Sequence, residues 1–173
     1  MGHGLSPVAL RDLRPDDVGS AYLRWMTDPA VVRYLESRFA VHTEASLRAW
    51  VVEQAARDDT LLLAIVERDG GRHVGNIKVG PLAAHHGTAD VGLLIGERDV
   101  WGRGYATAAI RQATDLAWDR LGARKLTASC YSGNAASARA FLRAGWVDEG
   151  RRPAQFLDDD GDAHDQLLLG IVR

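Results

Sequence analysis

Apolar and polar positions along this 173-residue chain repeat with two different periods, and the change of period organises it. From Val8 to Leu13 the pattern steps in twos, as in a half-buried strand. Arg14-Pro15-Asp16-Asp17 reads as a helix start, with acidic side chains where the helix dipole favours them. Val18, Ala21, Tyr22 and Trp25 then form the apolar stripe of a first helix. Thr27-Asp28-Pro29 stops it and caps a second, short helix through Ala30 to Leu35; Glu36-Ser37-Arg38-Phe39 reads as a loop. Thr43-Glu44-Ala45-Ser46 begins another helix, with Leu47, Trp50, Val51 and Ala55 on one face. Tyr22, Trp25, Tyr34 and Trp50 either line a pocket or pack in the core, and packing explains them better.

From Thr60 the period shortens. Leu61 to Val66 is a strand, Asp69-Gly70-Gly71 a hairpin turn, and His73 to Val79 the returning strand. Pro81 ends it, and Leu82 to Thr88, carrying His85 and His86, forms a loop. Val91-Gly92-Leu93-Leu94-Ile95 is too continuously apolar for a half-exposed strand and predicts a central one. Ala106, Ala109, Ile110, Ala113, Leu116, Ala117 and Leu121 return to helical spacing, closed by Gly122. Lys125 to Ser129 is a strand ending near Cys130-Tyr131. Ser132-Gly133-Asn134 turns into a short helix with Ala138, Phe141 and Leu142, and Gly145 closes it with Trp146 as apolar partner. Two last strands, around Val147 to Phe156 and Gln166 to Val172, flank Asp158-Asp159-Asp160-Gly161, a solvated hairpin tip. The pattern predicts one α+β domain over residues 1–173: a mostly antiparallel mixed sheet of about seven strands with helices on both faces.

Composition narrows the function classes. A net charge of -2 argues against a broad nucleic-acid-binding surface. The cations are nonetheless arginines apart from Lys78 and Lys125, which suits a local phosphate site. Cys130 is the single cysteine, so no internal disulfide forms. The opening Met1-Gly-His-Gly-Leu-Ser-Pro lacks the apolar core of a signal peptide, and no run approaches a membrane span. The expectation is a soluble cytoplasmic protein with no membrane partner.

The chemistry gathers at Trp101-Gly102-Arg103-Gly104-Tyr105-Ala106-Thr107, between the apolar strand and the long helix. A strand, a Gly-containing turn and a helix start direct several backbone N–H groups into one concave patch, where the positive end of the helix dipole favours an anion. Gly102 and Gly104 let a phosphate approach the backbone, and Arg103 adds charge. A bland Gly-rich connector remains the alternative. G-x-x-x-x-G-K-[ST] is absent, and the third glycine of a dinucleotide fingerprint is missing.

Taken together, Val74 to Trp146 resembles the GNAT acetyltransferases, which use acetyl-CoA. Trp101-Gly102-Arg103-Gly104-Tyr105-Ala106 fits their [QR]-x-x-G-x-[GA] pattern with Trp101 in the Gln/Arg place. That variant is similar to the branch of ribosomal-protein N-terminal, spermidine and amino-sugar acetyltransferases. Ala89-Asp90-Val91-Gly92, Gly96-Glu97-Arg98, Asn134-x-x-Ser137 and Phe141-Leu142-Arg143-Ala144-Gly145-Trp146 also match, as do Leu13-Arg14-Pro15-x-Asp17 and Trp25-Met26-x-Asp28-Pro29. The resemblance implies that amides from Arg103 to Thr107 hold a pyrophosphate. It also implies that a pantetheine arm lies along Leu93, Leu94 and Ile95, where two central strands splay apart, and that an N–H near Leu94 stabilises an oxyanion. Asn134, Ser137 and Arg139 match positions that touch the arm or the nucleotide end; no metal is implied.

Acyl transfer needs a neutral amine, and alkyl amines have pKa values near ~10, so a base is required. Asp90 stands where the family often places Glu and is the preferred base, with an ordinary strand-edge acid as the alternative; His85 and His86 rank second. The general acid is a departure: many relatives carry Tyr where this chain has Phe141. Ser137 or Tyr131 could hydrogen-bond the leaving thiolate, or Ser137 could simply cap its helix. The resemblance favours a small-molecule amine, first an amino sugar, nucleotide-linked or free. A protein N-terminus, an antibiotic or a polyamine follows, and a non-catalytic acyl-CoA-binding regulatory module is the alternative of another class. Relatives are commonly homodimers.

Overall fold

The computed structural model describes residues 6–173. Residues 1–5, part of the stretch read for a signal peptide, lie outside them. Four strands come before the long helix and three after it: β1 (Val8–Asp12), β2 (Leu61–Glu67), β3 (His73–Val79), β4 (Thr88–Ile95), β5 (Lys125–Tyr131), β6 (Val147–Leu157) and β7 (Ala163–Val172). They join in one open sheet of order β1-β2-β3-β4-β5-β7-β6. Every neighbouring pair is antiparallel except β4 and β5. The parallel pair is joined by the crossover helix such a connection requires, α4 (Tyr105–Leu116), whose last turn widens into a π-helical segment over Ala117–Leu121. Gly122, at φ 65°, ends it as the sequence predicts.

The sheet buries both faces. Under α4 and α5 (Ala135–Arg143) lie Val74, Ile77, Val91, Ile110, Leu126 and Phe141. The other face is covered by α1 (Ser20–Thr27) and α3 (Glu44–Ala55), over a smaller core of Leu13, Val18, Tyr22, Trp25, Leu47, Val51, Leu62 and Ala64. Tyr22 and Trp25 are therefore core residues. Trp50 is not: the inward stripe of α3 runs through Leu47, Val51 and Gln54, leaving Trp50 37% exposed and Ala55 outside. The second helix is shorter than expected, α2 (Pro29–Val32), capped by the Asp28 carboxylate accepting from the Ala30 N–H at 2.9 Å. Arg14-Pro15-Asp16-Asp17 makes a separate 3₁₀ turn ahead of α1, and the predicted loop at Glu36–Phe39 is another such turn.

Trp25 fixes how α1 meets the sheet. Its indole N–H donates to Glu97 at 2.9 Å, and Glu97 also binds Arg24 at 2.6 Å. The ring covers Gly96 so closely that a Cβ there would lie 2.1 Å from it. Gly96→Ala should accordingly destabilise the fold by about 1–3 kcal/mol, the usual cost of overpacking, read as a lower denaturation midpoint with an unchanged denaturant slope.

Candidate active site

Where β4 and β5 part, the hydrogen-bonding register decides which backbone groups are free. The two strands pair only at Thr88↔Lys125, Ala89↔Leu126 and Asp90↔Thr127. Beyond Asp90, β4 runs on beside β3 alone, and β5 runs on beside β7 alone. On the β3 side, Gly80 N–H donates to Asp90 C=O at 2.9 Å and Gly96 N–H to Val74 C=O at 2.8 Å. Hydrogen-bonded pairs recur at every second residue of an antiparallel ladder. With the intervening register unbroken, the backbone of Gly92 and Leu94 is committed to β3. Val91, Leu93 and Ile95 turn theirs toward the gap. The Ile95 C=O confirms this direction, accepting instead from the Trp101 indole N–H at 2.9 Å. The expected donor at Leu94 is thus corrected by one residue: the Leu93 and Ile95 N–H groups face the gap. Across it the same parity, set by the Ser132 N–H to Asp165 C=O bond of 2.8 Å, turns the backbone of Ser129 and Tyr131 toward the gap, where the Tyr131 C=O accepts from the Asn134 N–H at 2.9 Å.

This gap also explains why β4 is less buried than its apolar run predicts. Leu93, Leu94 and Ile95 are half-buried, and Gly92 is exposed because no strand flanks it there.

The gap leads to the turn before α4. Gly102 and Gly104 adopt φ of 76° and 79°, and a Cβ on either would meet no protein atom within 4 Å. Their openness leaves room for a ligand against bare backbone; their left-handed φ is what favours glycine. The Arg103 N–H is spent on Val100 C=O at 3.3 Å, so the expected set shortens. Those of Gly104, Tyr105, Ala106 and Thr107 meet no acceptor among the described residues, and no side chain caps the helix. The turn is fastened on both sides. Trp101 ties it to Ile95, and Tyr105 donates to Glu67 at 3.0 Å. Glu67 binds Arg72, which reaches on to Asp99, each at 2.8 Å. Arg72 first, and then Tyr105, hold the Glu67 carboxyl below its ordinary range.

Alternation along the strands divides the remaining candidates between the two faces. Asp90, Gly92, Thr127, Ser129 and Tyr131 project from the α1/α3 face, Leu93, Ile95 and Cys130 from the α4/α5 face. Asp90 sits at the point of divergence and accepts from the Thr127 hydroxyl at 3.0 Å. Crowding by its neighbours raises its pKa above the ordinary carboxylate value, against opposing contributions from Thr127, Lys78 and the Val91 N–H. Ser137 and Tyr131 lie on opposite sides of β5. Asn134 supplies the cap of α5, its Oδ1 accepting from the Ser137 N–H at 3.2 Å. The Ser137 hydroxyl is therefore not the cap; it lies against the Cys130 thiol, which burial pushes up and Ser137 draws down. Arg139 is exposed on α5.

Tyr131 is committed elsewhere. Its hydroxyl donates to Glu36 at 2.5 Å and accepts from Arg38 at 3.0 Å, and its ring stacks on Phe156 at 4.2 Å. Burial, then Glu36, raises its pKa. Its hydroxyl is thus engaged by Glu36 and Arg38, on the face opposite to Ser137. Arg38 also binds Asp159 at 3.1 Å and Leu157 C=O at 3.0 Å, stitching the turn after α2 to the β6–β7 hairpin. Sequence periodicity hides this Arg38 cluster, because its members come from three distant segments. Phe141 is 2% exposed and edge-packed on Trp146, a core side chain. His85 and His86 lie before β4, with the Arg124 guanidinium on His86 C=O at 2.7 Å. They are thus at the closed end of the β4–β5 pair, which removes them as bases. Among the described residues no three His, Cys, Asp or Glu side chains gather to hold a metal, and no helix is long and apolar enough to cross a membrane.

Comparison with known proteins agrees with this architecture. The acetyltransferase (GNAT) domain family matches residues 8–147. The uncharacterized N-acetyltransferase YoaA of Bacillus subtilis (strain 168) is 25% identical over 169 residues, covering 96% of this chain and 93% of that one. The spermidine N-acetyltransferase of Vibrio cholerae, in complex with CoA and spermine, superposes with a TM-score of 0.83 at 17% identity, with 96% of each chain covered. Mycobacterium smegmatis RimJ, in complex with CoA-disulfide, gives 0.80 at 20% identity, covering 95% of this chain and 81% of that one. At such identities the structural likeness speaks for the fold.

Proposed function

This chain belongs to the GNAT acetyltransferase family and is an N-acetyltransferase that uses acetyl-CoA; we propose that it acetylates the primary amine of a small molecule, an amino sugar being the first acceptor class. The observation that carries the reading is the backbone left unpaired between β4 and β5, running into the free amides of Gly104 to Thr107. An extended, amide-bearing arm completes such a gap as a missing strand would, and a pyrophosphate suits the helix start. Acetyl-CoA supplies an activated thioester carbonyl. The chain's residues then divide the work. The Gly104 to Thr107 amides hold the diphosphate, assisted by Arg103, while Arg139 and the Asn134 amide N–H₂ lie toward the nucleotide. Leu93 N–H is aimed to stabilise the oxyanion that develops at the carbonyl. Asp90, on the α1/α3 face, takes the proton of the attacking amine, directly or through water. Ser137, on the α4/α5 face, hydrogen-bonds the departing sulfur. Acceptor and cofactor thus approach the gap from opposite faces of the sheet.

Three measurements test this arrangement. Acetyl-CoA at about 100 times its dissociation constant should stabilise wild type by roughly 2.7 kcal/mol. In Gly104→Ala the Cβ and the strained φ should erase most of that gain, while the unliganded protein still folds. An unshifted wild-type melting temperature would defeat the cofactor placement.

Asp90→Asn should lower kcat about 10²-fold with acetyl-CoA affinity unchanged. The raised pKa moves the acid limb of the wild-type rate profile above the usual carboxylate range near ~3.9, and Asn should abolish that limb. Because a raised folded-state pKa means the native protein binds this proton more tightly than the unfolded chain, ionising Asp90 costs stability as pH rises. Asp90→Asn should then melt no lower than wild type at neutral pH.

Ser137→Ala leaves the Asn134 cap intact and should melt like wild type. It should lower kcat with little change in the acceptor KM, the mark of an interaction made chiefly in the transition state; full activity would leave the thiolate to water.

A further inference from the structure

Asp90 is the only carboxylate in β3, β4 and β5, and the only two lysines of the chain project from the same face of those strands. Lys125, at the closed end of the β4–β5 pair, is already joined to Glu149 at 2.5 Å. Lys78 is half-buried and forms no ion pair among the described residues. It lies opposite Gly92 in the β3–β4 ladder and opposite Leu62 in the β2–β3 ladder. Leu62 belongs to the core beneath α1 and α3. Residues directly opposite in an antiparallel pair share a face, so Lys78 projects on the face of Gly92 and Asp90.

Gly92 is the floor that the two charges share. Its backbone is bonded to β3, which sets the Lys78 Cα about 5.5 Å away. Asp90, two residues back along the strand, is about 7 Å away. Gly92 is exposed, and a Cβ there would meet no protein atom within 4 Å, so neither charged side chain folds over it. Lys78 is diagonal to Asp90, a spacing that long side chains span. Burial raises the Asp90 pKa, and the Lys78 ammonium opposes that rise after the Thr127 hydroxyl. The two charges feel each other, yet they do not close into an ion pair, and each keeps capacity for a partner from solution. The wall across the gap adds no anion. There Ser129 accepts from the Gln166 N–H₂ at 2.9 Å, and Arg152 donates to Gln166 Oε1 at 3.4 Å.

We propose that Lys78 is a specificity-determining residue that holds an anionic oxygen group of the acceptor, a phosphate or a carboxylate, so that the enzyme selects zwitterionic amines over neutral amines and polyamines. The assignment rests on the acetyl-transfer reading above and extends it to the acceptor. An alkyl amine arrives mostly as an ammonium, and Asp90 meets that charge before taking its proton. Lys78, a compact charge on a flexible stem, suits an oxygen anion on the same small molecule. A polyamine instead brings a second ammonium toward Lys78. One side chain thus attracts the favoured acceptor and repels its competitor, which is how specificity is commonly built.

The test uses acceptors that share one ring amine. Glucosamine carries no anion, its 1-phosphate and 6-phosphate carry a phosphate at either end of the sugar, and 2-amino-2-deoxyglucuronic acid carries a carboxylate; spermidine is the polyamine. With acetyl-CoA saturating, at about pH 8 and low ionic strength, wild type should use at least one anionic sugar tenfold or more better than glucosamine in kcat/KM, and spermidine least. Which anionic sugar leads decides between phosphate and carboxylate. Lys78→Gln, similar in length but uncharged, should bring the leading sugar to within threefold of glucosamine, through KM rather than kcat. Lys78→Arg keeps the charge and should keep most of the preference. Salt at ~0.5 M should shrink the wild-type preference by screening; this arm needs no substitution and decides the matter even if Lys78→Gln folds poorly. Equal use of neutral and anionic sugars by wild type overturns the proposal while leaving acetyl transfer standing. So does better use of spermidine, or an equal loss on all sugars in Lys78→Gln, the mark of a lysine that only tunes Asp90. A wild type that is stabilised by acetyl-CoA yet acetylates none of the five overturns the acceptor assignment as well and leaves the cofactor site in place.

Discussion

A strand that loses its neighbour still has a row of amides and carbonyls to satisfy, and this constraint lies beneath the rest of the structure. β4 is hydrogen-bonded on both sides only through Asp90. Beyond that pair the β5-facing backbone of Leu93 and the Ile95 N–H meet no neighbouring strand, in the middle of a seven-stranded sheet rather than at its edge. An outer strand can leave such groups to water; a central one, pressed between helix layers, creates a slot. Much of the surrounding architecture can be understood as keeping that slot from closing. α4 and α5 hold one face, α1 holds the other through Trp25, and Trp101 fastens the turn at the slot's end.

The slot also divides the chemistry by face. Because successive side chains on a strand point in opposite directions, Asp90 and Cys130 are separated by the thickness of the sheet although they come from adjacent strands. The two residues proposed above for the amine's proton and the leaving sulfur are thus kept apart by covalent geometry. Neither needs a loop to position it. The parity of β4 and β5 does so, and a one-residue slip in either strand would exchange the roles of the faces.

Much of this was legible in the sequence. The turn from Trp101 to Thr107 was, as a glycine-containing connection opening a strong helical stripe, and so was the order of strands and helices. The motif resemblance pointed to the splayed strands before any register was known. What stayed hidden depended on pairing. Periodicity cannot say which of Leu93 and Leu94 turns its N–H outward, because that follows from bonds made by Gly80 and Gly96 to β3. The Arg103 amide is lost to Val100 through a short 3₁₀ turn that carries no pattern of its own. His85 and His86 have suitable chemistry, but their place at the far end of β4 is set by where the parallel pairing begins. Trp50 looked inward by spacing, yet Gln54 takes the buried position a turn later. Ser137 was ambiguous until Asn134 proved to be the cap.

Arg38 ties the turn after α2 to the hairpin between β6 and β7, with four partners drawn from residues 35 to 159 and its side chain only 5% exposed. Both segments border the α1/α3 face, to which the acceptor is assigned in the proposal above, and neither contributes to the turn before α4. The shape of the acceptor rim is therefore inherited as a single coupled trait. Insertions or exchanges in one segment must preserve a guanidinium geometry supplied by the other, or lose both together. Meanwhile the half of the molecule to which the proposal assigns the acyl donor is free of that bargain. A lineage built on this plan can change what it acetylates in abrupt, paired steps while the donor side drifts little.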